Sequence, residues 1–391
     1  MTSSETIPDL LVIGGGVVGL AVAREVASRG MSVTVLERGR SGRQASWAAA
    51  GMLSPLGEAR EGDVFLEAGL RSLELYPDWI RSLEEESGVE VEYERAGKLR
   101  VALGLEEVEG LEARRRWARE RGVEHRWLEP TQILERFPSL PGHVAAGLLV
   151  EEDHRLENRR LGEALSVAAQ RAGAKLIEGA GVRGLTLTRG RATGVILEEG
   201  THLPGGQVLV AAGAWSGRLE GLPRPLPVRP VRGQILSLDH EPLAKGPVLE
   251  SERIYLVPRR DGRLVVGATE EEAGFRNGLT ADGVRGLLAG ALELVPGLAS
   301  APIQELWAGL RPGTPDRNPL MGRDPEVPDL LYATGHFRNG ILLAPLTAGA
   351  MGSLVAGEEG PSVPEAFLPE RFAGAGGVDG PAFQSHHEAR D

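Results

Sequence analysis

Apolar residues along this chain alternate between strand and helix spacing. Leu10 to Ile13 is an unbroken apolar run, the pattern of a parallel strand buried on both faces. Val17 to Ala27 spaces its apolar residues at helical intervals and stops before Gly30, a C-cap residue. Ser32 to Leu36 predicts a second strand, closed by Glu37. Residues 64–87 read as a helix with Phe65, Leu70, Leu73, Ile80 and Leu83 on one face and a break at Pro77. A strand over 97–103 leads to a charged helix over 105–121, then to short pieces divided by Pro130, Pro138 and Pro141. Residues 158–172 predict another helix, with strands near 175–178, 182–187 and 192–198. The run 207–216 is a buried strand entering a glycine turn, and it is expected to rejoin the first sheet. Strands over 228–238, 253–258 and 263–269, a helix over 280–295 and a strand over 303–312 follow. A strand over 329–334 and an apolar helix over 341–357 complete the pattern.

This alternation predicts an α/β protein: a Rossmann-type domain interleaved with a smaller α+β domain. The first is expected from residues 1–87, 150–222 and 302–369, and the second from 88–149 and 223–301. Residues 370–391 lack periodicity and read as a disordered tail.

Composition narrows the function classes. With 391 residues and 41% hydrophobic content, the chain can bury a sizeable core. Its net charge of −12 argues against nucleic acid as a partner. The absence of cysteine removes disulfides, thiolate metal sites and cysteine nucleophiles. No metal site is expected; His386 and His387 have no spaced partners. The first residues show no secretory leader, and the apolar stretch 10–23 is too short to cross a bilayer. A cytoplasmic protein without an integral membrane segment is the expectation.

Between the first strand and the first helix, Gly14, Gly16 and Gly19 stand in G-x-G-x-x-G spacing, with Gly15 between them. An acidic residue, Glu37, follows about twenty positions on, at the end of the second strand. Such glycines allow a tight turn, close approach to a pyrophosphate and close helix–strand packing. The helix start then faces the diphosphate. Glu37 suits ribose hydroxyls and disfavours a 2′-phosphate. The next segment, 41-SGRQASWAAAGML-53, is made largely of small side chains and suits a flat ring system. Near the other end, 334-TGHFRNGILLAP-345 sets Arg338 and Asn339 against an apolar run. A guanidinium there is costly without an anionic partner.

These residues resemble the flavin-dependent amine oxidases, the group that includes D-amino-acid, sarcosine and glycine oxidases. The carriers are VIGGGVVG (12–19), the Glu37–Arg38 pair, AAAGML (48–53), YLVPRRDGRLVVGAT (255–269), WAGLRPGTPD (307–316) and GHFRNGILLAP (335–345). The last three look most like the glycine oxidase branch, which supplies an imine precursor for the thiazole of thiamine. The resemblance implies noncovalent FAD, because the cysteine or histidine used for attachment by some relatives is missing beside AAAGM. It implies cofactor contacts from the glycines, from Glu37 and Arg38, and from Ala45, Ser46, Ala50, Gly51 and Met52. Val182 would meet the adenine half through its main chain. His336, Phe337, Arg338, Asn339, Gly340, Ile341 and Leu342 would hold the ring.

For the substrate, the resemblance implies a carboxylate bound by Arg311, assisted by Tyr255, with Arg338 and Met52 beside it. A planar guanidinium grips a carboxylate through two parallel hydrogen bonds and so fixes its orientation. Hydride transfer from Cα to flavin N5 then needs alignment more than a base. The expected reaction is oxidative deamination of glycine, sarcosine or small D-amino acids by oxygen, giving a 2-oxo acid, ammonia and hydrogen peroxide. Alternatives are a D-amino-acid dehydrogenase serving a quinone and a catalytically silent FAD-binding protein. A homo-oligomer is expected. Two residues depart from the glycine oxidase pattern: Glu270 stands in place of methionine and Arg253 in place of histidine. Both are expected near the pocket mouth.

Overall fold

A computed structural model describes residues 7–59 and 64–372; the predicted tail over 373–391, with His386 and His387, lies outside them. A six-stranded sheet runs in the order Leu320–Arg323, Leu330–Thr334, Gln207–Val210, Leu10–Ile13, Val33–Glu37, Lys175–Glu178. Its pairings are parallel except at the Leu320–Arg323 edge. Leu10–Ile13 lies between Val33–Glu37 and Gln207–Val210, so the strand order reverses at its carboxyl end, where doubly wound sheets bind ligands. The helices Val17–Ser28, Asn158–Arg171 and Ala344–Ala356 pack together on this sheet. Gly19 permits that approach: a Cβ there would stand 2.0 Å from the Gly14 carbonyl oxygen.

A second sheet has eight strands, in the order Ile303–Gly313, Arg229–Asp239, Arg263–Gly267, Tyr255–Pro258, Val248–Glu250, Lys98–Ala102, Ala146–Val150, Arg126–Leu128. Strand 303–312 was expected with the nucleotide-binding domain. Instead it forms the edge of this sheet, antiparallel to Arg229–Asp239, with Arg311 opposite Val231. Its place depends on that long-range ladder rather than on its sequence neighbours. Three-stranded (Val182–Thr188, Arg191–Leu197, His202–Pro204) and two-stranded (Met52–Leu53, His154–Arg155) sheets complete the pairing.

Other local expectations also change. Pro77 does not break its helix, which runs unbroken over Phe65–Ser87. Tyr76, Ile80 and Leu83 are buried on either side of the proline, and this packing holds the helix against the local cost. The last long helix begins at Ala344 rather than 341, with Pro345 in its first turn, where proline fits. Residues 340–343 form a turn. The expected tail began at 370, yet Pro369–Phe372 forms a 3-10 turn and Arg371 pairs with Asp316 at 2.8 Å. Among the described residues, no helix is long and apolar enough to cross a membrane.

Candidate active site

A cavity of about 400 Å³ opens at the carboxyl end of Leu10–Ile13. Gly14, Gly16, Glu37, Arg38 and Val182 line it, together with His336, Phe337, Arg338, Gly340 and Ile341. Ala45 and Ser46 also line it. The Glu37 carboxylate accepts the Gly15 and Gly39 N–H groups, each at 2.8 Å, which fixes its orientation and leaves acceptor capacity on both oxygens. Ser46 Oγ accepts the Val17 N–H at 3.0 Å, at the start of the first helix. Arg38 lies 4.7 Å over the Trp215 ring. Gly15, Gly19 and Leu342 were also assigned to the cofactor but do not line this cavity. Gly15 and Gly19 shape the turn, and Leu342 packs toward Gly69 of the helix Phe65–Ser87.

A smaller cavity of about 80 Å³ shares Ala45, Ala49, Phe337, Arg338 and Ile341 with the first. Arg311, Tyr255, Arg338 and Met52 all line it, with Ala50, Gly51 and Asn339. The Arg311 guanidinium needs the missing side chain of Gly233, where a Cβ would meet its nitrogens at 2.4 Å. Its Nη1 donates to the carbonyls of Thr269 at 3.0 Å and Arg232 at 3.4 Å, and other donors remain. Burial holds Arg311 below the ordinary guanidinium range, with Tyr255 opposing that shift. Burial also raises the Tyr255 phenol, so it stays a neutral donor. Buried Asn339 Oδ1 has no hydrogen-bond partner among the described residues. Phe337 adopts a left-handed φ of 49°, a strain that persists only where surrounding structure enforces it.

Profile comparison matches residues 9–354 to the DAO family, described as FAD dependent oxidoreductase. This chain belongs to that family. It is 36% identical over 373 residues to the glycine oxidase of Pseudomonas aeruginosa, covering 92% of this chain and 98% of that protein. It is 37% identical over 375 residues to the bifunctional protein ThiO/ThiG of Synechocystis, covering 94% of this chain and 54% of that protein. The chain thus spans about half the length of the bifunctional relatives it matches. The crystal structure of glycine oxidase from Geobacillus kaustophilus superposes with a TM-score of 0.87 at 33% identity, covering 93% of this chain and 98% of that one.

The cavities fit the FAD of this family of oxidoreductases. The glycine turn and helix start suit a diphosphate, Glu37 suits a ribose, and the unpartnered Asn339 oxygen offers an acceptor to a polar ring edge. The His336 imidazole is uncharged here. It is buried beside Thr347, and burial pushes its pKa down to about 3.

Arg338 has a partner that the sequence pattern did not reveal. Its Nη2 lies 3.0 Å from Glu58 Oε1, and Glu58 lines the smaller cavity. Glu58, foremost, raises the Arg338 pKa above the ordinary guanidinium range. The pair joins positions 280 apart in the chain, beyond any local periodicity. Glu270 binds Arg317 at 2.6 Å and approaches Arg338 at 4.0 Å, so this departure stands close to the site. Arg253 does not. Its exposed side chain pairs with Glu293 at 3.2 Å.

A buried ionic layer lies near Tyr255. Glu250 stands opposite Tyr255 in the sheet and binds Lys98 at 2.8 Å, with both side chains largely buried. Burial alone would raise the Glu250 carboxyl, but Lys98 and then Arg100 overcome it and hold it down near 2. Its contribution to stability is therefore complete above the ordinary carboxyl value of 4.5 and is lost as pH falls through about 2. Glu250→Gln strands the Lys98 ammonium. It is expected to cost about 3–5 kcal/mol at neutral pH, read by denaturant unfolding of the holoprotein. The difference from wild type should shrink in acid.

Proposed function

We propose that this protein oxidises glycine, and also sarcosine and small D-amino acids, with oxygen as the electron acceptor. The carrying observation is that Arg311, Tyr255 and Arg338 line one small cavity that shares a wall with the cofactor cavity. Bound FAD supplies a two-electron acceptor for the substrate Cα–H bond. Arg311 holds the carboxylate through its free N–H donors, and the Tyr255 hydroxyl donates to the same group. Glu58 offsets the charge of Arg338, so the site presents one unopposed guanidinium for one carboxylate. No histidine is among the residues lining the smaller cavity. The one carboxylate lining it, Glu58, is tied to Arg338 at 3.0 Å, so the residues support alignment rather than base catalysis, and the substrate amine must arrive neutral. Activity rises with pH through the amine ionisation on this reading. The imine product hydrolyses to glyoxylate and ammonia when glycine is the substrate, and oxygen leaves as hydrogen peroxide. The resemblance to the glycine oxidase branch suggests a physiological use in forming the thiazole of thiamine.

Anaerobic addition of glycine to the purified holoprotein is expected to bleach its flavin absorbance, and air to restore it with one peroxide per turnover. Bleaching without peroxide points to a dehydrogenase, and the absence of bleaching by any amino acid points to a silent FAD-binding protein. Glu270→Met removes the carboxylate shared near Arg317 and Arg338. For iminodiacetate, which is sarcosine with a second carboxylate that Glu270 would repel, the ratio of kcat/KM over that for glycine is expected to rise by about threefold to tenfold, the effect of roughly 1 kcal/mol. An unchanged ratio in a substrate panel removes Glu270 from the specificity determinants.

A further inference from the structure

The turn between strand Leu330–Thr334 and helix Ala344–Ala356 uses some of its N–H groups internally. Asn339 N–H donates to the His336 carbonyl at 2.8 Å and Leu343 N–H to the Asn339 carbonyl at 2.9 Å. The N–H groups of Gly340, Ile341 and Leu342 donate to no backbone carbonyl among the described residues. Gly340 and Ile341 line the larger cavity.

The carbonyl side of this turn is held from outside. The Tyr76 hydroxyl donates to the Ile341 carbonyl. Ser72 Oγ donates to the Leu342 carbonyl at 2.7 Å and accepts the Leu346 N–H at 3.4 Å. Both side chains come from helix Phe65–Ser87 and are fully buried, with 0% exposure. In a trans peptide the carbonyl and the next N–H point in opposite directions. With its carbonyl drawn toward Tyr76, the Ile341–Leu342 peptide turns the Leu342 N–H away from that helix. Tyr76 is itself fixed by a stacked contact with Tyr93, with centroids 5.9 Å apart and planes at 13°. Burial pushes the Tyr76 phenol well above its ordinary range, so it remains a donor.

We infer that Tyr76, with Ser72, is a positioning residue: it holds the Ile341 and Leu342 carbonyls and so fixes the turn whose free Gly340 and Ile341 N–H groups face the negative charge of reduced flavin, raising the cofactor's reduction potential. The inference rests on reading the larger cavity as the FAD site. Oriented donors in a water-poor site stabilise charge without reorganisation. Losing the Tyr76 hydroxyl removes one of two hydrogen bonds at the Ile341 carbonyl, which also accepts the Ala344 N–H at 3.0 Å, and so loosens the peptide on the side facing the helix Phe65–Ser87.

The test uses the FAD-loaded protein and two readouts other than turnover: the midpoint potential and the Kd for sulfite, whose adduct places negative charge on the ring. Tyr76→Phe is expected to keep FAD bound and raise the sulfite Kd about tenfold. For a two-electron couple this corresponds to a potential about 30 mV lower. Ser72→Ala moves both readouts in the same direction. Tyr93→Phe preserves the ring stack without touching the turn and leaves both unchanged. Values within twofold of wild type for Tyr76→Phe overturn the inference and leave Tyr76 as packing. Where Tyr76→Phe does not retain FAD, Ser72→Ala decides by the same threshold. A wild-type protein that takes up no FAD overturns the reading of the cavity, and this inference with it.

Discussion

Arg311→Ala is expected to lower kcat/KM for glycine by about thirty-fold to a few thousand-fold, mostly through KM, while FAD stays bound. The range corresponds to the roughly 2–5 kcal/mol lost when one member of a desolvated charge pair is removed. The position explains the size of the effect. Arg311 reaches the smaller cavity from strand Ile303–Gly313, beside the space left by Gly233, and burial already opposes its charge. A bound carboxylate relieves that opposition. Arg311→Lys is expected to restore only part of the loss, because an ammonium lacks the planar two-point grip. Steady-state kinetics with glycine, sarcosine and D-alanine check both variants. An unchanged KM across the three would remove Arg311 from carboxylate binding.

Gly14→Ala is expected to abolish stable flavin loading. Gly14 has a φ of 109°, and a Cβ there would lie 2.4 Å from the Ala211 carbonyl oxygen. Backbone strain of this kind alone costs about 1–3 kcal/mol. Where that strain falls on binding rather than on folding, it makes Kd about fivefold to 150-fold weaker, before the steric overlap is counted. The checks are the flavin-to-protein absorbance ratio after purification and FAD titration of the apoprotein. A normal ratio would show that the turn tolerates the methyl group and that the glycine is not required for cofactor binding.

Local pattern carried much of the fold, and its limits follow from distance along the chain. The Leu10–Ile13 strand, the Val17–Ser28 helix and the Glu37 position were legible because their signals lie within thirty residues. Arg311, Tyr255 and Met52 line a common cavity, but only family resemblance singled them out; nothing in their spacing announces a clamp. Glu58, Ser72 and Tyr76 escaped notice because their partners lie at 338, 342 and 341, far along the chain. The edge strand Ile303–Gly313 joins the eight-stranded sheet, which its sequence neighbours did not foretell for the same reason: its partner is Arg229–Asp239. Strands as short as Val248–Glu250 and Leu320–Arg323 offer too few positions for a period to show. Pro77 misled because propensity is weaker than packing on both sides of it.

Gly14 and Gly340 line the same cavity, yet ribosomes make them at opposite ends of translation. At about 5–20 residues per second, roughly fifteen seconds to a minute separates their appearance. During that interval the nascent polypeptide has a diphosphate cradle but no wall for the ring. With FAD in that cavity, coenzyme capture is expected late in biosynthesis, and a chain stalled before Gly340 is expected to be released colourless.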